Sequence, residues 1–229
     1  VVTAVYVNGK LVESYKSPLG CRYFNFDTDK GFFLNGQPLK IRGVCNHHDL
    51  GCLGTAFHTR AAERQLQLLK EMGCNAIRTS HNPPAPELLE LCDKMGILVM
   101  DEAFDMWKRE KTPFDYHLYW DQWHRQDLED QVKRDRNHPS VIIWSVGNEI
   151  IEQWVRGDDT AKVMLQELYD IVKGLDNSRP VVTANNEPGP WNRLLRTNIS
   201  DLIGYNYADS KWDSVFQHWY RKPCIVTES

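Results

Sequence analysis

Two glutamates in this sequence stand directly after short apolar segments. Glu228 follows residues 225–227, a β-branched run typical of a buried strand, and Glu149 follows a similar run at 141–147 and then Asn148. Two carboxyl groups at strand ends suit glycoside hydrolysis, because one can protonate the leaving oxygen while the other attacks the sugar carbon or activates water. The sequence therefore predicts an active site in which Glu149 and Glu228 form a pair.

The segments that must position this pair alternate between strands and helices. Apolar runs predict strands at residues 39–44, 74–79, 97–100, 141–147, 181–184, 201–205 and 224–228. Apolar stripes and helix-end signals predict helices at residues 59–73, 86–96, 120–136 and 161–173. Such alternation favours parallel βα units. We therefore predict an α/β fold, a (β/α)8 TIM barrel that lacks its eighth βα unit in this chain.

A doubly wound open sheet is the alternative arrangement of such units. That fold usually carries a glycine-rich phosphate-binding turn after its first strand, whereas residues 43–47 here are Gly-Val-Cys-Asn-His. The barrel is therefore favoured. Residues 1–30 show another pattern, with short strand segments and the pair Asn8-Gly9, which is typical of a β-hairpin turn. This segment is predicted to be the end of a separate β-domain.

A barrel of this kind places its chemistry at the carboxyl ends of the strands, where the βα loops converge. Polar residues occupy almost every predicted strand end: His47, His48, Asp49, Arg78, His81, Asp101, Glu102, Asn148, Glu149, Tyr207 and Glu228. A carboxylate at the mouth of an apolar barrel costs free energy unless it is paired or hydrogen-bonded, so a functional rim is the better explanation. We predict that His47 and Asp101 are among its substrate-binding residues.

Six short segments occur in an order that is specific to one family. They are residues 31–36, 41–44, 75–83, 101–103, 136–140 and 144–149. Together they resemble glycoside hydrolase family 2, the β-galactosidase and β-glucuronidase family. The resemblance implies a catalytic TIM barrel over residues 31–229. It also implies that residues 1–30 are the C-terminal strands of an immunoglobulin-like β-sandwich.

The resemblance also implies roles for the two glutamates. Glu149 would be the general acid/base and Glu228 the nucleophile of a retaining, exo-acting β-glycosidase, most like a β-galactosidase. A β-glucuronidase is the nearest rival, and its substrate carboxylate calls for extra cationic or amide donors that are not evident in these loops. A catalytically silent sugar-binding barrel is the rival from another class. The structural alternative is that both glutamates only form salt bridges at the rim.

Four further residues take roles from the same resemblance. Asn148 would donate to the sugar 2-hydroxyl, and Tyr207 would bond the nucleophile. Arg78 would hold the nucleophile anionic through a charge-assisted contact, and His81 would bind sugar hydroxyls. Two of these have ordinary alternatives. An arginine neutralising any buried acid would look the same, and His81 is also placed to cap the turn at residues 83–84.

The adjacent histidines His47 and His48 raise the question of a metal. Neighbouring residues of a strand point to opposite faces, so the pair is poorly placed to bind one ion, and rim hydrogen bonding is favoured. Some β-galactosidases carry a metal-binding Glu and His where this chain has Met106 and Lys108. We therefore expect no cofactor and no magnesium requirement of that type.

Composition restricts the classes of partner. The chain has 27 Lys and Arg against 31 Asp and Glu and no basic cluster, which argues against nucleic acid. No apolar stretch approaches the length of a membrane span, which argues against a membrane. The family resemblance implies a glycoside or oligosaccharide as the ligand. A homo-oligomer of the full-length protein and a cytoplasmic or periplasmic location stay open. The six cysteines show no CxxC pair, which predicts free, mostly buried thiols.

An aromatic-rich segment follows the third predicted barrel strand. Its aromatic residues are Trp107, Phe114, Tyr116, Tyr119, Trp120 and Trp123. Such side chains either stack on sugar faces or pack in a core. We predict packing for Trp120 and Trp123, which begin a helix, and leave both functions open for Trp107.

Overall fold

The structure, a computed structural model, describes residues 1–155, 159–218 and 222–229. The strands are β1 (Val2–Val7), β2 (Lys10–Lys16), β3 (Phe24–Asp27), β4 (Gly31–Leu34), β5 (Gln37–Pro38), β6 (Gly43–His47), β7 (Ala76–Ser80), β8 (Leu98–Glu102), β9 (Val141–Asn148), β10 (Val181–Asn185), β11 (Ile203–Asn206) and β12 (Cys224–Glu228). The helices are α1 (Thr59–Glu71), α2 (Pro86–Met95), α3 (Trp120–Asp135), α4 (Thr160–Leu175), α5 (Arg193–Arg196) and α6 (Trp212–His218). From β6 onward, strands and helices alternate as predicted.

Strands β6 to β12 form one parallel sheet in which each strand pairs with the next one along the chain. This order is that of a TIM barrel, because a doubly wound sheet reverses its strand order at a switch point. The sheet curls until its outer strands approach each other, and Cys45 Sγ of β6 lies 3.3 Å from the carbonyl oxygen of Thr227 in β12. In the described part of the chain these two strands share no backbone ladder. The sheet is therefore a curled barrel wall that is not closed.

The helices cover the outer face of this wall with apolar side chains. In α4 the predicted stripe is confirmed, since Leu165, Leu168 and Val172 are completely buried. They belong to one core cluster with Leu66 of α1 and Val99 of β8. Each such side chain contributes about 1.5–3 kcal/mol when it is fully removed from water. This layer fixes the strands whose ends carry the polar residues.

A second apolar cluster closes the opposite, amino-terminal end of the barrel. The three-stranded antiparallel sheet β3–β5 supplies Phe26 and Phe32, whose ring centroids are 4.8 Å apart. These rings pack in one cluster with Met100 and Ile142 from the barrel strands. The predicted domain boundary at residue 30 falls inside the β3–β4 hairpin. An immunoglobulin-like sandwich ending at residue 30 stays a prediction.

The first two strands form an antiparallel hairpin whose side chains are all exposed. Its turn has positive φ angles at Asn8 (50°) and Gly9 (76°), the conformation that this residue pair predicts. All six cysteines are free, as predicted, but only Cys92 is buried, so the expectation of mostly buried thiols is wrong. Within the described ranges, no helix has the length and apolar character needed to cross a membrane.

Candidate active site

The carboxyl ends of the barrel strands bring eight polar residues into one hydrogen-bonded group, which we call the rim cluster. Its members are Arg78, His81, Glu102, Asn148, Glu149, Asn206, Tyr207 and Glu228. Parallel strands end at the same edge of a sheet, so residues that are distant in sequence meet there. Seven of the eight stood among the polar strand ends seen in the sequence, and Asn206 did not.

Asn206 joins the two glutamates that the sequence singles out. Its Nδ2 lies 2.8 Å from Oε1 of Glu149 and 3.3 Å from Oε2 of Glu228. Because both oxygens contact the same nitrogen, the distance between them cannot exceed the sum of these two distances. Retaining glycosidases hold their carboxyl groups about 5–5.5 Å apart, and inverting ones about 6.5–9.5 Å. The structure thus brings Glu149 and Glu228 into the proximity that a carboxylate pair requires.

Arg78 links Glu228 to the interior of the barrel. It is 4% exposed, and its Nη1 donates to Glu228 Oε2 at 3.1 Å. Its Nη2 donates to Glu102 Oε2 at 2.7 Å and to Asn148 Oδ1 at 2.8 Å. Burial lowers the pKa of Arg78, but the adjacent Glu102 carboxylate outweighs burial and raises that pKa above its usual value. Arg78 is therefore a permanent cation shared by two carboxylates.

Glu102 is the buried counter-ion of this arrangement. Its side chain is completely buried and accepts hydrogen bonds from Arg78 and from Ser145 Oγ, the latter at 2.6 Å. A further hydrogen bond of 2.6 Å joins it to His81 Nδ1. Burial raises its pKa, but Arg78 and His81 more than compensate and lower it below the usual value. An ionised Glu102 therefore orients both Arg78 and His81. Glu102 stands at a predicted strand end, but the sequence alone assigned no function to it.

Asp101 does not join the rim cluster, and the prediction that it binds substrate is corrected. Its Oδ1 accepts from Gln131 Nε2 of α3 at 2.7 Å, and its side chain is completely buried between the sheet and that helix. Successive residues of a strand point to opposite faces, so only one of Asp101 and Glu102 can face the barrel interior. The strand period alone would have separated these two acids.

Tyr207 covers the second oxygen of Glu228. Its hydroxyl donates to Glu228 Oε1, and its backbone N–H donates to the Glu228 carbonyl oxygen at 2.7 Å. The hydrogen bond with Glu228 raises the pKa of Tyr207 to about 12. The phenol is therefore a proton donor at neutral pH. Glu228 receives donors on both of its oxygens, while its side chain stays 18% exposed.

Glu149 has an unusual backbone. Its φ is 46°, in the left-handed region that residues with a side chain rarely adopt. Its backbone N–H donates to the Ala184 carbonyl oxygen of β10 at 2.7 Å. The chain turns at this point, at the end of β9, and the Glu149 carboxyl group meets Asn206. Strained backbone of this kind is concentrated at functional sites.

The protein family of this chain follows from a match to one family model. Residues 27–229 match the model described as "Glycosyl hydrolases family 2, TIM barrel domain". This chain belongs to glycoside hydrolase family 2. The predicted family and barrel are thereby confirmed.

Individual relatives of the family 2 chain carry two kinds of name. A "Beta-galactosidase BoGH2A" of Bacteroides ovatus is 49% identical over 257 residues, covering 100% of this chain and 30% of that protein. A "Beta-glucuronidase" of Bacteroides fragilis is 34% identical over 217 residues, covering 93% of this chain and 30% of that protein. The chain thus spans less than a third of the length of these relatives.

A solved family 2 structure shows the same fold. A member from Bacteroides cellulosilyticus has a TM-score of 0.92 and 39% sequence identity, covering 100% of this chain and 29% of that one. The whole family 2 chain therefore has a counterpart in that structure, including the segment before the barrel.

His47 and His81 occupy the open side of the family 2 site. Their ring centroids are 5.1 Å apart at an interplanar angle of 87°, and His81 Nε2 lies 3.8 Å from Glu228 Oε2. His48 lies on the other face, with Nε2 3.0 Å from the Thr55 carbonyl oxygen. This separation matches the prediction that the adjacent histidines point to opposite faces.

Met106 and Lys108, the two positions considered above for magnesium, do not suit that ion. Met106 is buried and offers only a thioether, and Lys108 Nζ lies 2.8 Å from Asp121 Oδ1. Magnesium requires oxygen ligands. Across the described ranges, no group of three or more His, Cys, Asp or Glu residues is arranged to hold a metal. A metal-independent reaction stays a prediction.

The aromatic segment packs only in part, since Phe114, Tyr119 and Trp123 are exposed. Trp107 is completely buried and donates to the Val146 carbonyl oxygen at 2.8 Å. Trp120 is 3% exposed and stacks on His124. Trp123 is 44% exposed, so the prediction that it packs holds only in part. Trp107 supports the end of β9 from below and has no free face for a sugar.

Proposed function

We propose that the protein is a retaining, exo-acting β-glycosidase that removes terminal β-linked sugars, with β-D-galactose as the preferred sugar. The observation that supports this most is the bridge from Asn206 to both Glu149 and Glu228. Two carboxyl groups at this proximity, at the carboxyl ends of barrel strands, suit double displacement at a sugar carbon.

In the first step, Glu228 attacks the anomeric carbon and Glu149 transfers its proton to the departing glycosidic oxygen. The bond from the anomeric carbon to that oxygen breaks as the glycosyl-enzyme ester forms. In the second step, Glu149 takes a proton from water, whose oxygen attacks the same carbon and displaces Glu228. Two inversions leave the configuration of the sugar unchanged.

The surroundings of Glu228 suit a nucleophile that must also leave. Arg78 donates to Oε2 and Tyr207 to Oε1, so negative charge on either oxygen is stabilised. Both donors are held in place before the substrate arrives, so little reorganisation is needed when the ester breaks. Arg78 and Tyr207 therefore assist the second step in particular.

Asn148 is assigned to the sugar 2-hydroxyl. Its Oδ1 accepts from Arg78 at 2.8 Å and from Asn206 at 2.9 Å, which leaves its Nδ2 as the donor. A hydrogen bond to the 2-hydroxyl strengthens in the oxocarbenium-like transition state. His81 and His47, on the exposed side of the rim cluster, are assigned to the other hydroxyls.

Two observations favour galactose as the sugar: the names of the relatives and the donors available at the site. The relative with 49% identity is named a β-galactosidase, and the Bacteroides fragilis relative named a β-glucuronidase shares 34%. A glucuronide carboxylate calls for extra cationic or amide donors, and Arg78 is already shared by Glu102 and Glu228. β-Glucuronidase is the second candidate, on the strength of its several named relatives.

Two measurements test this proposal on the full-length protein. Aryl β-galactoside should be hydrolysed faster than the matching glucuronide and mannoside. Proton NMR of the first product should show the β-anomer before mutarotation. A preference for glucuronide would replace the sugar assignment alone. An α-anomer as first product, or sugar binding without any turnover, would overturn the retaining mechanism.

A further inference from the structure

Lys111 connects the loop after β8 to the end of β9. Its Nζ donates to Asp105 Oδ1 at 2.7 Å and to the Asn148 carbonyl oxygen at 2.9 Å. The Lys111 side chain is 21% exposed, so its stem lies against the protein while its ammonium group is held by these oxygens. The Lys111 ammonium group therefore joins its own loop to Asp105, just after β8, and to Asn148, at the end of β9.

The Asn148 carbonyl belongs to the peptide group that precedes Glu149. Lys111 bonds the oxygen of this peptide group, and Ala184 accepts from its N–H at 2.7 Å. The peptide is therefore held from two sides at the residue whose φ is 46°. A conformation in this sparsely populated region persists only when its surroundings determine it. Lys111 supplies half of that restraint on Glu149.

The same charge pair also orients the Asn148 amide. Asp105 Oδ1 accepts from Asn148 Nδ2 at 2.9 Å in addition to its bond with Lys111. One hydrogen of Nδ2 is thereby occupied, and the other is directed elsewhere. Lys111 compensates the charge of Asp105, so the carboxylate does not stand unpaired beside the rim cluster. The direction of the remaining Asn148 donor is thus set by Asp105 and Lys111 together.

The turn that presents Lys111 has its own anchor. Asp115 Oδ2 accepts from the backbone N–H groups of Lys111 at 2.8 Å and Thr112 at 2.7 Å. Burial raises the pKa of Asp115, but these bonds and those from His117 lower it to about 2. The anchor is therefore ionised throughout the neutral range, and the lysine is held before substrate binds.

We infer that Lys111, paired with Asp105, is a positioning residue that aims both the Asn148 amide and the Glu149 carboxyl group. The inference rests on the proposed function, because it assigns these two groups to the 2-hydroxyl and to the leaving oxygen. Lys111 itself touches neither reacting atom. Replacing Lys111 should therefore slow only those reaction steps that need the Asn148 amide or the Glu149 carboxyl group.

Lys111→Met tests this, with Lys108→Met as the matched control. Lys108 stands on the same loop but pairs with exposed Asp121. On an alkyl β-galactoside, Lys111→Met should lower kcat by about 100-fold, the cost of misplacing a catalytic group by about 1 Å. On a 2-deoxy galactoside with a dinitrophenyl leaving group, the first step needs neither group. Its rate, read as the burst of released phenol, should therefore fall by less than about threefold. Lys111→Arg should restore part of the loss.

Each outcome decides a separate question. Equal losses on both substrates, or a Lys108→Met variant as impaired as Lys111→Met, would overturn the positioning role and leave the proposed function standing. A wild-type enzyme that hydrolyses no glycoside would overturn both. If Lys111→Met does not fold, Asp105→Asn replaces it, because this change removes the lysine's counter-charge but retains an oxygen for Asn148. The same dependence on substrate is then expected, and its absence would refute the inference.

Discussion

At the scale of single residues, the site depends on side chains that serve two partners each. Arg78 bonds both Glu102 and Glu228, and Asn206 bonds both Glu149 and Glu228. A change at one member therefore alters the environment of another that it does not touch. Glu102 is the clearest case, because it is completely buried and yet determines where the Arg78 guanidinium lies.

Glu102→Gln should destabilise the protein by about 3–5 kcal/mol, because it leaves the Arg78 charge buried with one partner removed. Urea unfolding measures this change. Glu63→Gln is the matched control, since it breaks only the exposed pair with Arg60 and should cost less than about 1 kcal/mol. Equal stabilities for the two variants would show that Glu102 is not the counter-ion of Arg78.

Glu149→Gln should distinguish the proposed acid from the proposed nucleophile. The change removes the proton donor, so hydrolysis of an alkyl galactoside should fall by about 100-fold or more. A dinitrophenyl galactoside needs no protonation to leave, so its first step, seen as a burst of released phenol, should be much less affected. Glu187→Gln, in the loop after β10, should behave as wild type. Equal losses of the first step on both substrates would contradict the assignment.

At the scale of elements, strand β8 separates two adjacent acids into different environments. Glu102 faces the rim cluster, whereas Asp101 faces α3 and the buried Asp135. Burial raises the pKa of Asp101 well above its usual range, and the negative charge of Asp135 raises it further, against smaller opposing effects of Gln131 and Arg134. Asp101 is therefore held protonated in the folded state at pH values where it is ionised in the unfolded chain.

Asp101→Asn should consequently change how stability depends on pH. Above about pH 4 the folded state binds a proton that the unfolded chain has lost, so wild-type stability decreases as pH rises through the folded pKa. The variant lacks this contribution, so its stability relative to wild type should rise with pH from about pH 4 until the raised pKa of Asp101 is passed. Melting temperatures across that range measure it. Parallel curves for wild type and variant would refute the buried proton; Asp130→Asn, an exposed change on α3, serves as control.

Much of the element order follows from local patterns. Strand β12 was predicted at its observed bounds, and helices α2 and α3 within one residue. For α2 the reason is local, because Pro86 favours a helix start and Gly96 adopts the left-handed conformation that ends the helix. Strand β6 was predicted to begin four residues too early, since Leu39 and Ile41 pack against the barrel end and do not form its wall. Helix α5 was missed because four residues carry no periodic signal.

The site was predictable as far as strand ends and motifs go. Arg78, His81, Asn148, Tyr207 and both glutamates meet as the sequence suggested. Asn206 was missed because it precedes the motif tyrosine and belongs to no pattern. Lys111 was missed for a different reason, since it lies on a loop whose path is set by Asp115 and by tertiary contacts. Loops of this kind are not determined by apolar periodicity.

At the scale of the whole molecule, two apolar layers support the strands that carry the rim cluster. The helices cover the outside of the sheet, and the β3–β5 sheet closes the amino-terminal end with Phe26 and Phe32. Phe32 is 7% exposed in this second cluster. The barrel therefore depends on residues that precede its first strand.

Phe32→Ala should lower the free energy of unfolding by about 3–5 kcal/mol, because it removes a buried ring from the end of the barrel. Phe114→Ala is the matched control, since Phe114 is 90% exposed and its loss should change stability by less than about 0.5 kcal/mol. Guanidinium unfolding of both variants provides the measurement. A loss below about 1 kcal/mol for Phe32→Ala would show that the β3–β5 sheet is not part of the barrel's core.

The order of strands in the sheet has a consequence for biosynthesis. Each strand from β7 to β12 pairs with the one made just before it. On the ribosome, every new strand therefore meets a partner that has already emerged, and the wall can grow in the direction of translation. Glu149 is in place well before Glu228, so the nascent chain acquires its second acid, and with it a complete pair, only when β12 docks.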